Sequence, residues 1–141
     1  MGSRLISLTA VIAAMTVTAG CGLTGTEPTE PSPGRVTVGD ESRQTQSVAC
    51  TQNDWDLTIV ARTDSGRARA ALQIGGQQPV VRTVNIDDFD GLNGVAGSGV
   101  GKAEATANGS GRYTITGTAV ITDAAHPAKS TDMPFKIEAP C

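Results

Sequence analysis

From Arg35 onward the apolar residues fall on every second position, and Gly, Asn and Asp interrupt them at short intervals. Side chains on a strand alternate between two faces, so this rhythm specifies half-buried strands joined by tight turns. No window of about 11 residues carries the i, i+3, i+4, i+7 apolar spacing of an amphipathic helix. The pattern predicts an all-β domain, built as an antiparallel β-sandwich or an open barrel-like sheet.

Taken in order, Arg35–Val38 alternates and stops at the turn dipeptide Gly39-Asp40, and Gln46–Thr51 follows with Val48 and Cys50 on one face. Trp55, Leu57 and Ile59 then share a face against Asp56, Thr58 and Val60. After the turn at Thr63–Gly66, Ala68, Ala70, Leu72 and Ile74 alternate with Arg67, Arg69 and Gln73, which predicts a hairpin. Beyond Gly75–Pro79 the run Val80–Ile86 has apolar residues in both phases, so its inward face stays open. Past Asp90-Gly91, Val95–Gly101 places Gly97, Gly99 and Gly101 on alternate positions, which predicts a strand that bends or admits another backbone. Lys102–Ala107 continues extended, and Asn108–Gly111 forms a turn. Arg112–Thr122 returns with Tyr113, Ile115, Gly117 and Ala119 on one face, and Phe135, Ile137 and Ala139 alternate into Cys141.

Gly counts 17 while aromatic residues are 3% of the chain, so the core must be Val, Ile, Leu and Ala around one Trp, one Tyr and two Phe. Within 141 residues there is room for one modest core. The net charge of -3, with Lys and Arg scattered singly, supplies no basic stripe for nucleic acid.

Residues 1–20 read as a lipoprotein signal peptide. Arg4 stands in a short n-region, an apolar run from Leu5 to Val17 follows, and small residues precede Cys21. The run falls short of the roughly 20 apolar residues that span a bilayer. Thr18 occupies a position where such signals carry an aliphatic side chain, which predicts slower processing. Cys21 is the lipidation site in this reading, and the mature chain begins there. Residues 21–34 form a linker rich in Pro, Thr and Gly with almost nothing to bury, hence a disordered, solvated spacer before the β-domain at residues 35–141. Thr24, Thr26, Thr29 and Ser32 beside its prolines also have the composition of an O-glycosylated stalk.

With Cys21 acylated, Cys50 and Cys141 remain as a pair. In an oxidising envelope, so far apart in sequence and without a Cys-x-x-Cys, they read as a disulfide rather than a metal or redox site. Each falls in phase with an apolar strand face, Cys50 with Val48 and Cys141 with Phe135, Ile137 and Ala139, and Pro140 places Cys141 just past the last ladder bond.

No constellation specifies a reaction, and no catalytic, cofactor-binding or metal-binding residue is assigned. His126 is the only histidine, too few for a Ser-His-Asp or multi-His arrangement, and Ala125-His126-Pro127 reads as a solvated loop. Asp87-Asp88-Phe89-Asp90-Gly91 crowds three carboxylates, but their spacing and the absent downstream Glu do not make an EF-hand, and a solvated turn accounts for them. Gly97–Gly101 opens no helix, so these glycines are packing residues rather than a phosphate loop. Asn108-Gly109-Ser110 has the form of a sequon and equally of a hairpin turn, and the turn is preferred.

Ser47-Val48-Ala49-Cys50, Asn93-Gly94-Val95, Gly99–Thr106, Tyr113–Ala119 and Phe135–Glu138 leading to Cys141 resemble, in order and spacing, the mycobacterial 19 kDa lipoprotein antigens of LpqH type, and within them the LppE-type lipoproteins. The likeness covers nearly the whole exported domain. It implies a lipid-anchored, surface-exposed envelope protein without catalytic activity or cofactor. Its acylated N-terminus, at Cys21, is of the kind sensed by host Toll-like receptors. It also matches Cys50 and Cys141 to the family's paired cysteines. Three functions follow as expectations: a displayed surface module in adhesion or host interaction, a binder of an envelope lipid or other apolar ligand, and, weakened by the single histidine, a hydrolase.

Overall fold

The structure, a computed structural model, describes residues 33–141; the assignments at Cys21, Thr24, Thr26, Thr29 and Ser32 lie outside the described residues. Ten strands follow one another with turns between: β1 (Arg35–Val38), β2 (Glu41–Gln44), β3 (Ser47–Asn53), β4 (Asp56–Arg62), β5 (Arg67–Gln73), β6 (Val80–Phe89), β7 (Leu92–Gly97), β8 (Lys102–Ala107), β9 (Arg112–Asp123) and β10 (His126–Pro140). They make one antiparallel sheet in the order β2-β1-β10-β9-β7-β6-β5-β4-β3, curled into a half-barrel.

β9 is the pivot of the curl. One edge carries β10 along its length, and the other is divided between β8, opposite Tyr113–Thr118, and β7, opposite Val120–Asp123. On the concave side, Val36, Val38, Ile115, Ala119, Ile121, Phe135, Ile137 and Ala139 meet Leu57, Ile59, Ala61, Ala68, Ala70, Leu72, Val84, Ile86 and Phe89 in one continuous cluster. Each Ile, Leu or Phe buried there is worth roughly 1.5–3 kcal/mol relative to exposure. The hairpin of β4 and β5 is the one predicted, with Ile59 opposite Ala70 and Leu57 opposite Leu72.

The differences from expectation are local and have physical causes. β2 gives no alternation signal, because Glu41, Ser42, Arg43 and Gln44 face water and are held by the ladder to β1. The open face of β6 is settled by a register shift at Ala71/Leu72: Leu72 pairs with Val81 and Ala70 with Val84, so Val81 turns to the core in one phase and Val84 and Ile86 in the other. Trp55 does not join Leu57 and Ile59 inside. It stands beyond the end of β4, after Asp54 at φ 51°, and is 65% exposed. The turn expected over Asp87–Gly91 contracts to Asp90-Gly91, since β6 runs on to Phe89, whose side chain is fully buried.

The strand expected from Val95 to Gly101 ends at Gly97 and becomes a turn, with Gly97, Gly99 and Gly101 at φ of 85°, 85° and 62°. Gly97 and Gly101 do sit against other backbone, that of Arg82 and Thr118, as packing residues would; Gly99 has open space around it and serves the backbone conformation instead. His126 lies at the start of β10 rather than in a loop, though it is solvated. Cys141 is not past the last hydrogen bond, because its N–H donates to Gly111 O at 2.8 Å.

Candidate functional site

Cys50 and Cys141 are joined, with an S–S distance of 1.97 Å and Cα atoms 5.8 Å apart across a sequence separation of 91 residues. β3 ends the sheet path and β10 lies in the other limb of the curl, so the bridge ties together two strands that share no ladder. Cys50 is half-buried against the core beside Val48, in the phase read from the sequence.

The polar candidates are drawn apart rather than together. Asp87 accepts from Arg67 Nε at 2.9 Å, while Asp90 accepts from Arg43 Nε and Nη2 at 3.2 and 3.0 Å, so two of the three crowded carboxylates serve different arginines. The hydrogen bond and charge of Asp90, followed by the charge of Asp64, hold the Arg43 guanidinium above its ordinary pKa. Among the described residues no group of three or more His, Cys, Asp or Glu is placed to hold a metal ion. His126 Nδ1 lies 3.8 Å from Asp123 Oδ2, both exposed at the β9–β10 hairpin end. Asn108 Oδ1 accepts from Ser110 N, Ser110 Oγ and Arg112 N at 3.2, 2.9 and 2.9 Å, the bonds of an Asx-type turn. Among the described residues every buried side-chain nitrogen or oxygen has a partner.

What the molecule does present is a recess of about 470 Å³ between two hairpin tips, lined by Trp55, Gln73, Ile74, Gly75, Gly76, Gln78 and Val80. Ile74 N donates to Trp55 O at 2.8 Å, which joins the tips. Gly75, at φ 106°, lies directly under the indole: a Cβ there would overlap the ring, 2.6 Å from Cζ3. The alternation pattern missed this feature because it assigns Trp55 to a strand face. The signals that mark it are the turn-forming Asp54 beside the Trp and the Gly75-Gly76 pair opposite.

The family model for the Mycobacterium 19 kDa lipoprotein antigen matches residues 27–141, from the end of the linker through the last strand. The chain belongs to the Mycobacterium 19 kDa lipoprotein antigen family. Lipoprotein LpqH of Mycobacterium tuberculosis (strain ATCC 25618 / H37Rv) is 35% identical over 105 residues, 73% of this chain and 65% of that protein. Lipoprotein LpqH of Mycobacterium avium is 33% identical over 105 residues, 73% of this chain and 64% of that protein. The chain thus spans just under two thirds of the length of these relatives. The match to the lipoprotein antigen family begins after Cys21, so the reading of that cysteine rests on the leader itself.

Proposed function

We propose that this lipoprotein antigen is anchored by acyl chains on Cys21, faces outward from the cell envelope and acts by surface recognition, in adhesion or host interaction, rather than by catalysis. Family membership is the observation that carries this reading, and the leader, the small residues before Cys21 and the Pro-rich linker support it from the sequence. Glycosylation at Thr24, Thr26, Thr29 or Ser32 belongs to the same proposal.

A carrier of an envelope lipid needs an enclosed apolar chamber of roughly 300 Å³ or more. The recesses found over the described residues open outward and mix polar with apolar groups, so no observation favours that alternative.

Detergent phase partition tests the anchor. Acyl chains contribute about 0.8 kcal/mol per buried CH₂, and two chains turn marginal attachment into stable anchoring. The parent is expected in the detergent phase and Cys21→Ser in the aqueous phase. Equal partition of the two proteins overturns the reading.

A further inference from the structure

Trp55 is the only tryptophan of the chain, and it is 65% exposed where a folded domain gains most by covering it. Its exposure is built into the backbone. The Trp55 O···Ile74 N bond and the side-chain-free floor at Gly75 hold the indole on the tip of the neighbouring hairpin, with the rest of the ring left to solvent. Val80, 60% exposed, stands on the same rim. A second recess of about 390 Å³ shares Gln78 and Val80 in its lining and takes in Pro79 and Ala103–Thr106 of β8, so the two recesses adjoin at these residues.

The chemistry of the lining selects among ligands. Among the described residues no charged side chain lines the Trp55 recess, and the one formal charge lining the adjoining recess is the carboxylate of Glu104. Arg82, the nearest cation in sequence, donates to Gln73 Oε1 at 2.9 Å and lies 3.8 Å from Asp56 Oδ1. An anionic ligand therefore finds no free cation in the lining, and an acyl chain finds no enclosure. The neutral amides are different. Among the described residues Gln73 Nε2 and the Gln78 side chain have no hydrogen-bond partner, which leaves them available to hydroxyl groups. An aromatic face beside carboxamides matches a pyranose, which presents a C–H face to a ring and hydroxyls around its edge.

We propose that the two adjoining recesses, from Trp55 over Val80 to β8, bind a neutral oligosaccharide, one sugar ring stacking on Trp55 and its hydroxyls hydrogen-bonding to Gln73 and Gln78. The inference deepens the surface-recognition reading and rests on it. Its test reads binding and not partition, so the anchor and the ligand can fail separately.

As the sole tryptophan, Trp55 reports on its own site. The full chain, in a sugar-free polyoxyethylene detergent, is titrated with linear hexasaccharides of glucose, mannose and galactose while indole emission is followed. At least one of them is expected to give a saturable blue shift near millimolar concentration, the weak range of an open site. Binding to Trp55→Ala and Gln78→Ala is followed by chemical-shift perturbation. Trp55→Ala is expected to lose about tenfold or more in affinity, a change of about 1.4 kcal/mol, Gln78→Ala to weaken it, and Trp55→Phe to restore part of it. Silence with all three sugars overturns the proposal, as does parental affinity in Trp55→Ala. Tighter binding of a sulfated hexasaccharide than of any neutral one overturns the ligand class.

Discussion

The first part of β10, His126–Asp132, and the remainder, Met133–Pro140, pair with the same neighbour, β9, yet every residue of the former is exposed while Phe135, Ile137 and Ala139 are 3%, 1% and 0% exposed. The second part has β1 on its other edge, the β4–β6 layer against its inner face and the disulfide at its end. The first part has β9 alone, with the register shifted between His126 and Ser130. A ladder is enough to define a strand; covering its inner face is what makes it contribute to stability.

The largest test of that contrast is Phe135→Ala. It removes a buried ring and leaves a cavity, and a loss of about 3–5 kcal/mol is expected from urea unfolding. Next comes the bridge, removed as Cys50→Ser with Cys141→Ser so that no free thiol remains. A loss of about 2–4 kcal/mol is typical, with about 4.7 kcal/mol as the chain-entropy figure for a loop near 100 residues. Amide exchange should then accelerate in Phe135–Ala139 and change little in the non-proline residues of His126–Asp132, which is already open. Unchanged exchange in the second part would mean that the seam is held by packing alone.

Gly117→Ala probes β9, the partner shared by both parts. A Cβ there would overlap Lys102 O and lie 2.7 Å from Lys102 C, so β8 must shift, at an expected cost of about 1–3 kcal/mol. The smallest effect belongs to the open part: Lys129→Ala is expected to stay within about 0.5 kcal/mol of the parent. If it destabilised as much as Phe135→Ala, the contrast between the two parts would collapse.

The readability of the sequence follows the same division. Phe135, Ile137 and Ala139 announce a strand because their alternation has a core to face, and Leu57, Ile59, Ala68, Ala70 and Leu72 do so for the central hairpin. His126–Asp132 and Glu41–Gln44 carry no such mark, since strands exposed on both sides place no demand on residue type. The recess was hidden for the converse reason. Trp55 continues the phase of Leu57 and Ile59, and only the end of the ladder puts it outside.

The residues alone therefore determined the class of fold, the faces of the central strands and the Cys50–Cys141 pair. Alternation and side-chain chemistry act over a few neighbours, and Cys50 and Cys141 each fall in phase with an apolar strand face. Which strands become neighbours was decided only in three dimensions. β1 lies beside β10, β7 and β8 divide one edge of β9, and the bulge at Ala71/Leu72 switches the inward phase of β6. These pairings join residues far apart in the chain, where register, bulges and the curl of the whole sheet set the geometry and no local pattern records it.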